Sequence, residues 1–331
     1  MKGTSDFVEL LGPDLSMKIM MCLEDPSDLV RVSAVSIMWR QFVIANGLCR
    51  QLWHRMFPEV SNIDNIFEVK NMTEGVEFEP DDSTGGAHLE RDHRVFAFLT
   101  RGLTSYMRND CISDAICASS TDHYPRESIK NTLEPSDVVD DRPSYWSSKG
   151  SIDVAFPETL IYRLAARLCV ISEIHVKPFQ AYFQLGFPIY SSKAVRFLVG
   201  HPKVPLDVQD VEEFSDDKYV WTYTSPEFPM AQENFLQKFK LPKPVLCIGE
   251  ILKVELLGRV QTQETDELYY ICITHVEVVG RLVLPAFDIK IPELGKCLLE
   301  YHPEAAHSSS PAKSSQGDSS SPSQVLASIW S

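Results

Sequence analysis

Residues 12–43 read GPDLSMKIMMCLEDPSDLVRVSAVSIMWRQFV, and the punctuation of this stretch predicts a run of short helices. Pro13 suits the first turn of a helix, because the N–H that proline lacks has no partner there. Leu15, Ile19 and Leu23 then recur at every fourth position, which places them on one face. We therefore expect the first helix to start at Pro13.

Two further helices each begin at a capping residue. Asp25 precedes a proline at the start of the second helix, and Ser36 caps the third. An Asn-Gly pair interrupts the third helix, and a last apolar turn stops at Pro58, so residues 6–58 predict one compact helical domain. We expect the second helix to carry Leu29, Val32 and Val35 inward, and the third helix contains the apolar residues Trp39, Phe42 and Val43.

The first helix is apolar around nearly its whole circumference. Between Leu15 and Leu23 only Ser16 and Lys18 are polar. A helix that is apolar all round must be buried all round, yet a domain of this size buries only about 60 % of its surface. Part of this surface is therefore expected to meet another chain, and coverage by the rest of this chain is the alternative.

Composition divides the remainder of the chain into three parts. Residues 59–94 are rich in acids and contain a Ser-Thr-Gly-Gly break, which predicts a solvated linker, although residues 91–106 also suit a short helix. Residues 110–300 alternate in the manner of strands, and the β domain is expected to span residues 95–300. Residues 301–331 are rich in Ser and Pro, and such a tail is expected to be disordered.

Strand signals dominate after residue 160. Leu168, Val170, Ile174 and Val176 are expected to face one way, while their odd-numbered neighbours, including His175 at the surface, face the other. Similar alternation recurs in several later segments, which long irregular connections separate. This arrangement favours an antiparallel jelly-roll β-sandwich over a βαβ fold. The predicted fold class is therefore multidomain, with a helical unit followed by an all-β sandwich.

The charge of the chain excludes several functions. Lys and Arg number 31 against 46 Asp and Glu, which gives a net charge of −15. Phosphate contacts require clustered cations, so we expect no nucleic-acid ligand. We expect no membrane segment, because no apolar run reaches the roughly 18 residues that a spanning helix needs. The N-terminal residues carry acids in place of the apolar core of a secretory signal, which predicts the cytoplasm or the nucleus.

The sequence contains no pattern typical of a catalytic or metal site. Its eight cysteines form no Cys-x-x-Cys pair and are expected to be reduced thiols. A zinc site drawn from Cys111, Cys117 and His123 lacks the usual spacing and a fourth ligand, so no metal is expected. Gly-x-Ser-x-Gly, His-Glu-x-x-His and a phosphate-cradling glycine loop are also missing from the sequence. We therefore expect no catalytic residue and no cofactor.

Several anchor positions of the helical domain together resemble an F-box. They are Gly12-Pro13-Asp14-Leu15, Ile19, Leu23, Asp28-Leu29-Val30-Arg31, Val35-Ser36, Trp39-Arg40 and Leu52-Trp53. Gly12 departs from the pattern, which has Leu before the proline. The resemblance implies docking onto the SKP-type adaptor of an SCF-type cullin-RING ubiquitin ligase, and through that adaptor onto a cullin. The adaptor-binding residues that it implies are Pro13, Leu15, Ile19, Leu23, Leu29, Val32 and Trp39.

The start of the β domain resembles a galactose-binding-like, discoidin-like sandwich. The matching segments are Ala118-Ser119-Ser120-Thr121-Asp122 and Tyr145-Trp146-Ser147-Ser148-Lys149-Gly150. The whole chain therefore resembles a plant-type F-box protein with a C-terminal sandwich. The resemblance implies a non-catalytic substrate receptor of the ligase, whose sandwich captures a protein target, glycosylated or not. A lectin-like module that reads a glycan, with or without the ligase, is the alternative.

Two parts of the sandwich are candidates for target or glycan binding. A loop of hydroxyls, one carboxylate and one aromatic ring suits a polyol, although ordinary turns have the same composition; it comprises Ser119, Thr121, Asp122, His123 and Tyr124. Trp146 is either a core plug or a platform for a sugar ring. The aromatic segment Phe179, Tyr182, Phe183, Phe187 and Tyr190 is expected to be half core and half exposed peptide-binding edge.

Overall fold

A computed structural model describes residues 6–68, 85–103, 109–204, 215–283, 287–290 and 297–302. Within these ranges the chain forms an N-terminal helical unit followed by a β-sandwich. The α-helices are α1 (Phe7–Met21), α2 (Pro26–Ser33), α3 (Ile37–Ala45), α4 (Leu48–Met56) and α5 (Gly85–Leu103). None of the helices in the described ranges has the length and apolar character that crossing a membrane requires.

The second and third helices start at the predicted capping residues. The side chain of Asp25 accepts a hydrogen bond from the Ser27 N–H at 2.8 Å, and Ser36 Oγ accepts one from the Trp39 N–H at 3.2 Å. α1 begins earlier than expected but is kinked at Gly12, whose φ of 71° is left-handed and favours glycine. The part of α1 after this kink is the helix that was expected to start at Pro13.

The β-strands of the described chain are short at the loops and long in the sandwich. They are β1 (Ile63–Glu68), β2 (Asn109–Asp110), β3 (Ile112–Ala118), β4 (Val138–Val139), β5 (Arg142–Pro143), β6 (Trp146–Ser147), β7 (Glu158–Leu164), β8 (Leu168–Gln180), β9 (Ile189–Tyr190), β10 (Ser192–Pro202), β11 (Tyr219–Thr224), β12 (Phe228–Pro229), β13 (Gln237–Ile248), β14 (Ile251–Arg259), β15 (Gln261–Thr262), β16 (Tyr269–Tyr270), β17 (Cys272–Leu282), β18 (Phe287–Lys290) and β19 (Cys297–Tyr301).

Two six-stranded antiparallel sheets form the sandwich in the described part of the chain. One has the order β11-β10-β14-β7-β3 with β12 added on β10. The other has the order β13-β8-β17-β2 with β6 added on β17 and β9 on β8. Their facing sides enclose an apolar core that includes Leu160, Tyr162, Phe197 and Val254, each fully buried. The predicted helical unit followed by an antiparallel β-sandwich is confirmed.

Apolar residues change faces partway along β8. Leu168 and Val170 belong to a buried cluster with the helical unit, whereas Ile171 and Val176 belong to the interior of the sandwich. The pairing of β8 with β17 shifts register around Ser172, which is the extra residue of a β-bulge. The uniform alternation predicted for this strand is therefore wrong, and the sheet is apolar on both faces at this end.

Much of the segment predicted as a linker is ordered structure. A 3-10 helix (Pro58–Asn62) leads into β1, which pairs in parallel with β19 of a separate three-stranded sheet. α5 covers the last part of the predicted linker. The prediction of a solvated linker over residues 59–94 is wrong for these described parts, because Ile63 and Ile66 are buried apolar residues. Residues 69–84 of that segment lie outside the described residues.

The C-terminal boundaries also differ from the prediction. β19 pairs with β18 on one side and with β1 on the other, so β18 and β19 lie outside the two sheets of the sandwich predicted for residues 95–300. Tyr301 closes β19 and is buried, so the first residue of the predicted tail is ordered. The rest of that tail from residue 303 onward lies outside the described residues.

The helical unit and the sandwich are joined by a shared hydrophobic cluster that is separate from the interior of the sandwich. Trp53 of α4 and Phe96 of α5 belong to the same buried cluster as Leu168 of β8 and Ile248 of β13. The expectation that a linker keeps the two units apart is therefore wrong. The helical unit packs at the Leu168 end of β8, whereas the connection that follows Gln180 lies at the opposite end of this strand.

Candidate functional site

Large apolar side chains are exposed on the helical unit, at α1 and at the junction of α2 with α3. We define the helical face as Leu10, Leu15, Ile19, Val35, Ile37 and Met38, all of which are exposed. Leu15 is 51 % exposed and Ile19 is 46 % exposed, although both lie on a helix that packs against the rest of the unit. Such a concentration of exposed apolar surface is typical of an interaction site.

The seven residues expected to bind an adaptor divide into three groups. Pro13, Leu15 and Ile19 are exposed. Leu23, Val32 and Trp39 are half-buried and pack against the core. Leu29 is fully buried, so its side chain offers no surface to another chain, and its expected role in adaptor binding is contradicted. Val35 was expected to face inward but is exposed, because it follows the last turn of α2.

Asp6 joins the two parts of the helical face. One carboxylate oxygen of Asp6 accepts hydrogen bonds from the Val8 N–H at 3.2 Å and from the Trp39 indole N–H. The other accepts one from the Ser36 hydroxyl at 3.1 Å. Burial raises the pKa of Asp6, but the hydrogen bonds from Trp39, Val8 and Ser36 together outweigh that effect and leave the pKa lowered. The charged carboxylate therefore holds the start of α1 against α3.

In the sandwich, the loop after β3 is supported by a buried ion pair. Glu158 lies beneath the loop and accepts hydrogen bonds from the hydroxyls of Ser119 and, at 2.9 Å, Ser120. Its second oxygen pairs with Arg259, and both side chains are almost fully buried. Arg259 also donates to Ser148 Oγ at 2.9 Å. Ser119, a predicted binding residue, is thus engaged in holding the loop.

The sequence analysis missed the ion pair of Glu158 and Arg259. The two residues lie 101 positions apart, and neither stands in a recognisable motif. β7 and β14 bring them together because these strands are neighbours in one sheet. The sequence signal was weak, because each is a charged residue at the end of a strand that carries other charged residues too.

Trp146 is a core residue. Its side chain is fully buried in the sandwich cluster, and its indole N–H donates to the Ser120 carbonyl oxygen at 3.0 Å. The platform interpretation is therefore wrong, because a buried ring has no face for a sugar. The core interpretation holds, and the hydrogen bond makes Trp146 a further support of the loop after β3.

The outer part of that loop brings three metal-ligand residue types together. His123 Nδ1 lies 2.9 Å from Asp122 Oδ2 and 3.6 Å from Glu127 Oε2. Among the described residues, this trio is the group whose ligand atoms are close enough to hold a metal ion. The zinc set considered from sequence does not assemble, because Cys111 and Cys117 are buried in different clusters. Thr121 is half-buried and Tyr124 is exposed beside the trio.

The connection between β8 and β9 carries exposed aromatic side chains. We define Tyr182, Phe183, Leu185 and Phe187, all exposed, as the aromatic lobe. Phe179 and Tyr190 of the same segment are buried, so the prediction of half core and half exposed edge is confirmed for its burial. Sequence analysis missed Leu185, which is 87 % exposed.

A stack of rings supports the aromatic lobe from below. Phe179 stacks on Tyr145 with ring centroids 3.9 Å apart, and Phe183 lies 6.2 Å from Phe179. The Tyr145 hydroxyl donates to Glu127 Oε1 at 2.8 Å, which joins the lobe to the trio of the neighbouring loop. The lobe and this loop therefore form one end of the sandwich.

Carboxylates give this end of the sandwich a negative potential. Burial raises the pKa of the Tyr190 hydroxyl to about 12, and the carboxylates of Asp266 and Glu264 add to the rise. Burial also raises the pKa of Tyr145, with Glu127 and Asp122 contributing. The carboxylates act on these hydroxyls because an anion beside a phenol disfavours a second negative charge.

Comparison with solved structures finds matches of low similarity. The chain has a TM-score of 0.35 and 11 % identity with a CBM32-3 module from a Clostridium perfringens family 31 glycoside hydrolase, over 51 % of this chain and 90 % of that one. It has a TM-score of 0.35 and 10 % identity with a striped bass fucolectin, over 56 % of this chain and 50 % of that one. Such scores carry no argument about what this chain binds.

Comparison with curated sequences finds a much stronger match. The chain is 51 % identical over 299 residues to F-box protein At4g00755 of Arabidopsis thaliana. The aligned region covers 86 % of this chain and 78 % of the relative. No protein-family model matches the chain. The identity and the coverage extend the likeness well beyond the helical domain. The chain belongs to the F-box proteins.

Proposed function

We propose that the chain is the substrate-recognition subunit of an SCF-type cullin-RING ubiquitin ligase. In this role the helical face docks onto the SKP-type adaptor, and through it onto a cullin, while the sandwich captures a protein target. The observation that carries the proposal is the exposure of the helical face in a member of the F-box proteins. The chain positions the target, and the chemistry of ubiquitin transfer belongs to other subunits.

The physical argument for docking is the free energy of the exposed side chains. Burying one large aliphatic side chain contributes about 1.5 to 3 kcal/mol. Leu15 and Ile19 are about half exposed in the free chain, so each retains part of that free energy for an interface. Pro13 lies on the same exposed stretch, whereas Leu29 does not contribute because it is buried.

Target capture is assigned to the end of the sandwich with the aromatic lobe. The lobe exposes apolar side chains on a rigid support, which suits a protein ligand. The lectin-like alternative loses its main side chain because Trp146 is buried. Binding of a glycan array by the full chain, with loss of the signal in a Tyr124→Ala variant, would favour that alternative. The proposed role places the chain in the cytoplasm or the nucleus.

Adaptor affinity tests the proposal. A Leu15→Ala and Ile19→Ala double variant is expected to lose about 2 to 4 kcal/mol of binding, or roughly 30-fold to 1000-fold in Kd, because it removes apolar contacts at the interface. The measurement is isothermal titration calorimetry with the purified SKP-type adaptor. The free chain should lose little thermal stability, because both side chains are about half exposed and neither belongs to the buried cluster of the helical unit.

A matched control separates this effect from a general loss of surface apolarity. Leu185→Ala removes an equally apolar and more exposed side chain from the aromatic lobe. It should bind the adaptor as tightly as the unaltered chain. Equal affinity of the double variant and the control would contradict the proposal, and so would the absence of any binding by the unaltered chain.

A further inference from the structure

A groove of about 580 Å³ lies on the sandwich beside the aromatic lobe. Its lining includes Asn234 and Phe235, which precede β13. The Asn234 side-chain amide donates to Gln180 Oε1 at 3.3 Å, and the Gln180 amide donates to the Phe187 carbonyl oxygen at 3.2 Å. This chain of hydrogen bonds connects the wall of the groove to the backbone of the aromatic lobe.

The polar groups of the groove are mainly hydrogen-bond acceptors. Glu277 and Asp110 contribute carboxylates to the lining. His275 is 7 % exposed, and its Nδ1 lies 2.9 Å from the Thr132 carbonyl oxygen. Nδ1 therefore carries the proton, and in the neutral ring Nε2 is an acceptor. The buried Oδ1 of Asn234 has no hydrogen-bond partner, which is a cost that a donor in the groove would relieve.

The cation among the lining residues is already neutralised. Lys177 Nζ lies 2.6 Å from Asp137 Oδ1. Glu277 also faces His175, whose Nδ1 is 2.9 Å from Glu277 Oε2. His175 was expected at the surface but is buried between Glu277 and Glu173. A ligand that brings hydrogen-bond donors and a positive charge complements this set, whereas an anion would meet two carboxylates.

The apolar part of the groove suits the stem of a long basic side chain. Leu133, Pro135 and Leu236 supply aliphatic surface, and Phe235 is 48 % exposed. Lysine and arginine bury their methylene stems against such surface and keep the charged head at polar groups. An exposed phenyl ring adds a favourable contact with the cation.

We propose that the groove binds a lysine or arginine side chain of the target protein, while the aromatic lobe binds an apolar side chain next to it in the target sequence. The inference rests on the proposed role in target capture and specifies its chemistry. The chain's net charge of −15 favours a basic partner at long range. The occupant is thus a short segment in which a basic and an apolar residue are neighbours.

Selection of peptides on the full chain tests this inference. A random dodecapeptide phage library is selected on the immobilised protein, and the most enriched peptide is measured by fluorescence anisotropy. Enriched peptides are expected to contain Lys or Arg beside an apolar residue. Replacing that Lys or Arg by Gln should weaken binding about 10-fold or more, since a charge-assisted contact and a cation–aromatic contact are both lost.

Variants of the chain locate the binding site. Glu277→Gln and, separately, Phe235→Ser should each weaken binding of the same peptide about 3-fold to 10-fold. Phe183→Ser should weaken it by a similar factor through the aromatic lobe. Leu15→Ala, on the helical face, is the matched control and should leave peptide affinity unchanged. Thermal melts of every variant exclude unfolding as the cause.

Several outcomes would overturn the inference. They are the enrichment of acidic peptides or of no peptide, full affinity after the change to Gln, and full affinity of both groove variants. Adaptor affinity of the same preparations keeps the two proposals distinct. A chain that binds the adaptor but selects no basic peptide overturns the inference alone, whereas a chain that selects basic peptides but ignores the adaptor overturns the ligase role alone.

Discussion

The helical face and the aromatic lobe both expose large apolar side chains, but they are held in place differently. Leu15 and Ile19 belong to one helix, and a single carboxylate, Asp6, ties that helix to α3. Phe183 and its neighbours stand on a connection between strands, which a stack of Phe179 on Tyr145 supports. The helical face therefore follows from periodicity along one helix, whereas the aromatic lobe depends on packing between residues that are distant in sequence.

Removing Trp146, which supports the loop after β3, should show most clearly that the aromatic lobe and the helical face are independent. Trp146→Ala leaves a large cavity in the sandwich core and should cost about 3 to 5 kcal/mol of unfolding free energy. Tyr145 precedes it in the chain, so peptide binding by the lobe should weaken as well. The measurements are denaturant unfolding and anisotropy with a selected peptide, together with adaptor calorimetry at a temperature where the variant is folded.

Adaptor affinity of the Trp146→Ala variant decides whether the comparison holds. It should equal that of the unaltered chain, because the helical face lies at the other end of β8. Loss of adaptor affinity by a folded variant would mean that the two surfaces are coupled through the core.

The shared cluster makes a second prediction about the junction between the two units. Ile248 is fully buried in the cluster that joins β13 to the helices. Ile248→Ala should cost about 2 to 4 kcal/mol, through lost burial and a cavity. Because the cluster is shared, hydrogen exchange should accelerate in α4 and in β13 alike. Leu282→Ala, at a more exposed position, is the control with a smaller effect. Faster exchange in β13 alone would argue for two independent units.

The smallest expected effect concerns the tie between α1 and α3. The pKa of Asp6 is lowered from its ordinary value of 3.8, so the charged form is favoured in the folded state. Its stabilisation is complete above the unfolded pKa and is lost as the pH falls through the folded pKa. The indole N–H resonance of Trp39 should therefore titrate below pH 3.8 in an NMR series. In Asp6→Asn the resonance should stay constant, and a midpoint above 3.8 in the unaltered chain would contradict the assignment.

The sequence predicted those features that depend on neighbours along the chain. The caps at Asp25 and Ser36, the exposed helix after Pro13 and the divided aromatic segment all follow from short-range patterns. Features that depend on distant partners were missed. The acidic composition of residues 59–94 concealed β1, since β1 owes its place to pairing with β19, more than two hundred residues later.

In the candidate site, too, the sequence predicted only what depends on residues close together in the chain. The loop with Asp122 and His123 could be chosen from its composition, but its support by Glu158 and Arg259 required two neighbouring strands. The groove with Glu277 and Phe235 has no counterpart in any sequence pattern, since its walls come from separate strands and loops. The bulge at Ser172 likewise reverses a pattern that looked uniform.

The length of β8 has a consequence for how a captured target is presented. This strand has 13 residues, with the helical unit packed at its first residue and the aromatic lobe after its last. At about 3.3 Å per residue it spans roughly 40 Å. Because both ends belong to packed cores, the strand works as a spacer of fixed length and not as a tether. In the proposed ligase such a spacer selects among the lysines of a target by their distance from the binding site.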